Sequence, residues 1–357
     1  MDICWKEKSQ PSFSAEVDAS GAIGNFLGFS VASKKLRRQL GRRVKFNDES
    51  RCVVHFGSPF SISDPVIGKY NVMFTMYENS DLPQSAIDQI NKYQLVVVPS
   101  EWCRASFARQ VKVPVEVCPL GVNLDQFQYK RRKIKSGKKF RFLYVGAPNP
   151  RKFTILPEVY RHYISQREDT ELYIKTTGAS LPAASDLSQM GAAERTEEDI
   201  VTGDDWTVDN RVLSSEDLLE LYHSAHAFIL FTCGEGFGLT GLEAMATGLP
   251  LVVSNWSGVG EYANSRNSTL VRCDYGDHRE RFAAMGFDTE RNMEVEPMAY
   301  HVGWPDLNSA VTSCHMVQEN YEMATRKARR ARDTAKEMTW ESSAARLCAI
   351  LRKYGIV

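Results

Sequence analysis

Residues 235–250 of this 357-residue chain read EGFGLTGLEAMATGLP, shortly after the apolar run AFILF at 227–231. The apolar run predicts a buried strand, the glycines predict a tight loop, and the segment after them predicts a short helix. The free N–H groups and the positive dipole end at such a helix start suit phosphate or sugar oxygens. Glu235 and Glu243, with seven residues between them, can bind hydroxyls on either side of that phosphate, as a ribose and a hexose would present them.

Short apolar runs alternate with helical segments on both sides of this stretch, which is typical of α/β domains with mostly parallel sheets. The predicted strands are 53–56, 72–75, 95–98, 115–117, 140–145, 172–175, 227–231 and 250–253. A helix is expected at about 101–110 after Ser100, a typical N-cap residue, and another from about 153. The basic segment YKRRKIKSGKK at 129–139 is poor in apolar residues, which is typical of an interdomain linker. We therefore predict two Rossmann-like α/β domains, 1–139 and 140–338, with a cleft between them.

The 235–250 stretch resembles the retaining GT-B glycosyltransferases, specifically the large family four, whose hallmark is Glu-x7-Glu followed by Ala-Met-Ala and Gly-x-Pro. Four more segments resemble that family: VPS at 98–100, PLGV at 119–122, the helix around 218–225, and WE at 340–341 before an amphipathic helix. The resemblance implies a GT-B fold in which 339–357 form a helix that crosses back to the first domain. It also implies transfer of a sugar from a UDP- or GDP-sugar with retained configuration and no cofactor.

The resemblance also implies roles for single residues. Glu243 would hold the ribose hydroxyls, and Glu235 would bind and orient the transferred sugar without acting as a general base. Backbone N–H groups in the loop would contact the sugar or the distal phosphate, and the base would lie near the loop before the helix at 215. The donor-binding set expected in this way is Glu243, Phe237, Gly238, Leu239, Thr240, Lys175, Asn210, Arg211 and Val212.

Arg151 and Lys152 follow the first strand of the second half, where two adjacent cations can neutralise a diphosphate leaving group. With Glu235 they form the expected catalytic set; the alternative is a surface basic pair at a helix start. The family often has Gly after these cations, whereas this chain has Phe153. Lys175, at the end of the next strand, either reaches the same phosphates or is solvated. Since no Asp-x-Asp pair or His/Asp cluster has ligand spacing, we predict no catalytic metal.

Two positions in the first half are candidates for the acceptor side. GAIG at 21–24, which ends at Gly24, resembles the family's glycine-rich loop, although no clear strand precedes it and a plain helix start explains it equally well. Glu78 follows the strand at 72–75, where many relatives carry a histidine that faces the transferred sugar. It is either an acceptor-side carboxylate or an ordinary loop glutamate.

Charge is distributed unevenly along a chain whose formal net charge is zero. Residues 1–139 hold 22 Lys and Arg against 13 Asp and Glu, and seven of these cations lie between Lys34 and Lys45. A solvated helix face is the simple explanation. The alternative is an anionic acceptor or surface, for which DNA, as in phage enzymes that glycosylate modified bases, membrane lipid and acidic glycan are candidates.

Other features limit the class of protein. The first residues carry charges where a signal peptide is apolar, and no run of about 18 apolar residues occurs, so we expect a cytoplasmic protein. The eight cysteines are scattered, which favours reduced thiols packed as small hydrophobic groups. Oligomeric state has no signal in the sequence. The rival functions are an idle relative that only binds a nucleotide sugar, or another GT-B enzyme such as an epimerase; a phosphorylase would need a recognisable lysine for pyridoxal phosphate.

Overall fold

The structure is a computed structural model that describes residues 2–7, 23–134, 137–147, 151–176, 200–285 and 301–356, with only the backbone at 23–28. The described chain forms two α/β halves, each built on its own mostly parallel sheet. Within the described helices, none combines the length and the apolar character that a bilayer crossing needs. All eight cysteines are free, and seven of them are buried.

The first half is built on six parallel strands: β1 (Asp2–Glu7), β2 (Lys45–Phe46), β3 (Cys52–Phe56), β4 (Tyr70–Phe74), β5 (Leu95–Val98) and β6 (Val115–Val117). Their order in the sheet is β2-β1-β3-β4-β5-β6. The helices of this half are α1 (Ile23–Leu40), α2 (Gln84–Ile90) and α3 (Glu101–Ala108). Strands β3 and β5 are buried along their whole length, which explains why they are continuous apolar runs in the sequence.

The second half is built on seven strands: β7 (Phe140–Val145), β8 (Thr170–Lys175), β9 (Ile200–Thr202), β10 (Trp206–Asp209), β11 (Ala227–Leu230), β12 (Leu251–Ser254) and β13 (Thr269–Val271). Their order is β13-β12-β11-β7-β8-β10-β9, and every pair is parallel except β9 with β10. A separate antiparallel pair consists of β14 (Cys273–Asp277) and β15 (His301–Pro305). Since parallel strands point the same way, the loops that follow β7, β8, β11 and β12 emerge at one edge of the sheet.

Helices of the second half alternate with these strands. They are α4 (Leu156–His162), α5 (Ser215–Ser224), α6 (Leu239–Ala246), α7 (Arg279–Ala284), α8 (Leu307–Glu319), α9 (Tyr321–Glu337) and α10 (Trp340–Lys353), with 3-10 turns at Ile164–Gln166 and Ser257–Glu261. Helix α4 begins three residues later than expected, at Leu156, with Pro157 in its first turn, where a missing N–H costs nothing.

Strand β1 corrects the expectation that no clear strand precedes Gly24. It pairs with β2 on one side and β3 on the other, inside the first sheet. Its sequence, DICWKE, has only two fully buried positions, Ile3 and Cys4. A strand with charged residues at both ends gives neither an apolar run nor a clean alternation, so its pattern is weak. Gly21 and Ala22 of the expected loop lie outside the described residues, and Gly24 lies in the first turn of α1.

The segment expected to be an interdomain linker is partly buried. Arg132 is 9% exposed, and its guanidinium donates to the carbonyls of Tyr222, Ala225 and Thr247, at 2.8–3.1 Å. These carbonyls lie in the last turn of α5 and at the C-caps of α5 and α6, where backbone acceptors lack partners in the helix. A basic run in the sequence does not distinguish this buried arginine from its solvated neighbours. The stretch before Phe140 is therefore attached to the second half.

The chain crosses between the halves twice, and the two crossings are in contact. Val122 forms a parallel bridge with Thr339, and its N–H donates to the Met338 carbonyl at 2.9 Å. Gly121 lies so close to the Thr339–Trp340 peptide that a Cβ there would overlap it. After this contact, α10 packs on α1 of the first half. The exact domain limits, 1–139, 140–338 and 339–357, stay a prediction.

Candidate active site

The glycine loop between β11 and α6 has a conformation that only glycine adopts easily. Gly238, the N-cap of α6, has φ of 82°, and no side chain caps the helix start. A Cβ at Gly238 would also lie 2.8 Å from the hydroxyl of Tyr262, which donates to the Gly238 carbonyl at 2.6 Å. The first N–H groups of α6, from Leu239 and Thr240, have no acceptor within the helix.

Hydrogen bonds from both halves hold this loop in place. The Glu235 N–H donates to the Ser257 hydroxyl at 3.0 Å, and the Gly258 N–H donates to the Glu235 carbonyl at 2.8 Å. From the first half, the Ser100 hydroxyl donates to the Gly236 carbonyl at 2.8 Å. The same hydroxyl caps α3 by accepting from the Cys103 N–H at 3.2 Å. The loop position thus depends on the relative position of the two halves.

Four charged side chains meet beside the loop, and they include all three expected catalytic residues. Lys152 Nζ lies 2.8 Å from Glu235 Oε1, and Arg151 forms an ion pair with Glu78 of the first half. All four side chains are mostly buried, with 8–18% of their surface exposed. We call Glu78, Arg151, Lys152 and Glu235 the charge quartet. Two cations and two carboxylates leave it neutral, so burial is tolerated.

The two carboxylates of the charge quartet have different proton affinities. Burial acts to raise the pKa of Glu78, but the charges of Arg151 and Lys152 hold that pKa below its ordinary value. Burial raises the pKa of Glu235 above its ordinary value, although Lys152 acts in the opposite direction. Glu78 is therefore firmly ionised, and Glu235 is the member that accepts a proton more readily.

Glu243 lies inside α6, and the Tyr222 hydroxyl of α5 donates to its Oε2 at 3.0 Å. Burial raises the pKa of Glu243 to about 7, although the Tyr222 hydrogen bond and the charge of Lys35 act to lower it. Lys35 belongs to α1 of the first half and donates to the Gln126 side chain at 3.2 Å. Neither Tyr222 nor Lys35 belonged to the expected site. Tyr222 lies in the helical segment that resembles the family, but the resemblance assigned it no role, and the sequence placed Lys35 only in a basic helix.

Lys175 and the loop at 210–212 lie together at the ends of β8 and β10. Lys175 is 2% exposed, and its ammonium donates to the carbonyls of Thr176, Asp209 and Arg211. Its three donors are therefore used within the protein, and binding a phosphate requires an exchange. Its role in phosphate binding stays a prediction. The Thr176 hydroxyl donates to the Asn210 side chain at 3.0 Å, and Val212 is 86% exposed, so the loop is accessible to a base.

Metal ligands do not cluster in the part of the chain that the structure describes. There, no group of three or more His, Cys, Asp or Glu residues has the arrangement of a metal site. The cations near Glu235 are Arg151 and Lys152, both with buried ion-pair partners. Metal independence stays a prediction, which donor turnover in excess EDTA tests.

Comparison with solved structures defines the class of fold. This chain is similar to WaaG, a glycosyltransferase involved in lipopolysaccharide biosynthesis, at 12% identity over 98% of this chain and 99% of that chain, with a TM-score of 0.62. It is also similar to Alr3699/HepE of Anabaena, solved with UDP, at 12% identity over 80% of this chain and 72% of that chain, with a TM-score of 0.57. These likenesses confirm the predicted GT-B fold with its two Rossmann-like halves.

Comparison with families is more specific. Residues 97–347 match the model of the family described as "Family 4 Glycosyltransferase in conflict systems", and this chain belongs to that family. The predicted resemblance to the family-four glycosyltransferases is thereby confirmed. The glycogen synthase of Mycobacterium tuberculosis is 42% identical over 85 residues, which are 20% of this chain and 20% of that protein. This chain thus spans about a fifth of the curated relative that it matches.

Proposed function

We propose that this chain transfers a glycosyl group from a nucleoside diphosphate sugar to an acceptor hydroxyl, with retained anomeric configuration and without a metal ion. The observation that carries the proposal is the position of Arg151 and Lys152 beside Glu235 and the glycine loop, in a chain of this family. Alr3699/HepE has been solved with UDP and with UDP-glucose, which supports a uridine donor as the first to test.

In the proposed reaction, the bond from the anomeric carbon to the distal phosphate breaks and a bond from that carbon to the acceptor oxygen forms. The acceptor proton passes to an oxygen of the departing phosphate, so the nucleoside diphosphate leaves on the face from which the acceptor attacks. Negative charge grows on the leaving group, and two fixed cations in a buried site stabilise it without reorganisation. Glu235 positions the sugar and Glu243 holds the ribose.

The acceptor in this proposal is an anionic molecule. Helix α1 presents Lys34, Arg37 and Arg38 as exposed side chains on the first half, which is the acceptor half in the family. DNA, a membrane lipid or an acidic glycan would supply the matching charge. Charge alone supports this part of the proposal.

The test is donor hydrolysis without an acceptor, across a panel of UDP- and GDP-sugars. We expect at least one donor to bind and to be hydrolysed, and we expect Glu235→Ala to bind the nucleoside diphosphate normally but to turn over about 100-fold more slowly, because sugar contacts are lost in the transition state. Glu49→Ala, at an exposed glutamate of the first half, is the matched control. If donors bind but none of them is hydrolysed, the chain is a catalytically inactive relative that only binds a nucleotide sugar. An active Glu235→Ala variant would refute the role of Glu235.

A further inference from the structure

Glu78 connects the two halves at the place where the donor diphosphate is expected. It follows β4 of the first half, while Arg151 follows β7 of the second, and their ion pair joins residues 73 positions apart. Both side chains are mostly buried, at 15% and 18% exposure. An ion pair with so little water around it is screened weakly, so it is a strong attraction between the halves.

The backbone of Glu78 is fixed against the glycine loop. A Cβ on Gly234 would overlap the Glu78 carbonyl oxygen, and a Cβ on Gly236 would lie 2.8 Å from Met76. The two segments 76–78 and 234–236 are therefore in direct contact. The carboxylate of Glu78 is held close to Arg151 as long as the halves stay in this relative position.

A diphosphate and a carboxylate compete for the same guanidinium. Arginine binds phosphate and carboxylate through the same planar set of N–H groups, so full engagement of one anion displaces the other. With Glu78 present, the charge quartet is neutral before the donor arrives. A diphosphate would then add its negative charge to a site whose cations are already neutralised.

We propose that Glu78 is a built-in counter-ion of Arg151, which the donor diphosphate must displace, so that Glu78 sets donor affinity. This inference rests on the proposed function, because it assigns the diphosphate to Arg151. It gives Glu78 a role toward the donor, in place of the acceptor-side role that the sequence suggested.

The test measures binding of UDP and GDP by calorimetry to wild type and to Glu78→Gln, which keeps the shape and removes the charge. We expect Glu78→Gln to bind the preferred nucleoside diphosphate about tenfold more tightly, which corresponds to about 1.4 kcal/mol. Affinity for the corresponding uncharged nucleoside should not change, because it has no group for Arg151. Glu49→Gln, at an exposed glutamate, should bind as wild type does.

A second arm separates charge competition from a general structural effect. In an Arg151→Gln background, Glu78→Gln should no longer change diphosphate affinity, since the two side chains act through each other. If Glu78→Gln does not fold, Glu78→Asp replaces it; its shorter side chain should hold Arg151 less well and raise affinity by a smaller factor.

The outcomes distinguish the inference from the proposed function. Unchanged or weaker diphosphate binding in Glu78→Gln and Glu78→Asp, with Arg151→Gln binding poorly, overturns the inference and leaves the donor assignment intact. An equal gain in affinity for the nucleoside and the diphosphate also overturns it. Absence of UDP and GDP binding in every variant and in wild type overturns both.

Discussion

Glu243 should make donor binding depend on pH, and Glu243→Gln should remove that dependence. The side chain lies within hydrogen-bond distance of Tyr222 in a partly buried setting that raises its pKa from 4.5 to about 7. Ribose hydroxyls donate better to a carboxylate than to a carboxylic acid, so the donor should bind the ionised form. Below pH 7, binding must then release a proton from Glu243, and affinity should fall as the pH is lowered.

The size of the effect follows from the pKa. If bound ribose returns the pKa of Glu243 to near 4.5, affinity for a sugar nucleotide should fall about tenfold for each pH unit below 7. The raised pKa of Glu243 also affects folding stability, and this effect has the opposite dependence on pH to that of donor affinity. A raised carboxyl pKa favours the folded state below pH 4.5, and this contribution is lost as the pH rises to about 7. Above pH 7 Glu243→Gln should therefore be more stable than wild type, by up to about 3 kcal/mol.

The assay is calorimetry with a sugar nucleotide at pH 6 and pH 8, in two buffers of different ionisation enthalpy, which counts the protons released. A sugar nucleotide is preferable to a free nucleoside diphosphate because its diphosphate diester does not titrate near neutral pH. Wild type should release a proton at pH 6 and almost none at pH 8, whereas Glu243→Gln should release none at either. Proton-free binding by wild type at pH 6, with affinity equal to that at pH 8, would refute the ribose assignment.

Three further predictions concern the metal, the loop and the acceptor. Excess EDTA should leave the rate of donor turnover unchanged, because Arg151 and Lys152 occupy the place of a divalent ion; loss of activity that magnesium or manganese restores would contradict this. Ser100→Ala should lower stability by about 1–2 kcal/mol and also lower turnover, since the Gly236 carbonyl loses its donor from the first half. Ser214→Ala, which removes an N-cap from α5 with no such contact, should lower stability alone, so equal turnover in both variants would argue against loop positioning. Reversal of Lys34 and Arg38 to glutamate should raise the Michaelis constant for an anionic acceptor such as DNA and weaken its salt dependence, while reversal of Arg326 and Arg329 on α9 should not.

Local patterns in the sequence predicted most elements of the fold. Strands β5, β6 and β7 have the expected limits because each is a compact apolar segment between turn residues. Strand β1 was missed because burial of Ile3 and Cys4 alone leaves too little pattern. The burial of Arg132 in the linker has no signal in the sequence, which shows that this residue is basic but not that three carbonyls at helix ends surround it.

In the candidate site as well, features set by neighbouring residues were predicted from the sequence, whereas contacts between distant residues were not. Spacing within 235–250 was enough to predict a glycine loop before a helix that carries Glu243. The pairing of Glu78 with Arg151 and the position of Lys35 relative to Glu243 depend on how the two halves meet. No local pattern contains that information, so the sequence suggested an acceptor role for Glu78 and a solvent or acceptor role for Lys35.

The two contacting crossings determine how this protein could be recombined with a relative. In such a chimaera, helix α10 must come from the same protein as the first half, because Lys353 and Tyr354 at the end of α10 bind Glu116 of that half. The segment that contains Arg132 must remain with the second half, whose helix ends it satisfies. The exchangeable unit therefore consists of two separate stretches of sequence, residues up to Val122 and residues from Thr339 onward. Since Val122 and Thr339 are bridged, both junctions of such a chimaera fall at one point in space, and neither sheet is cut.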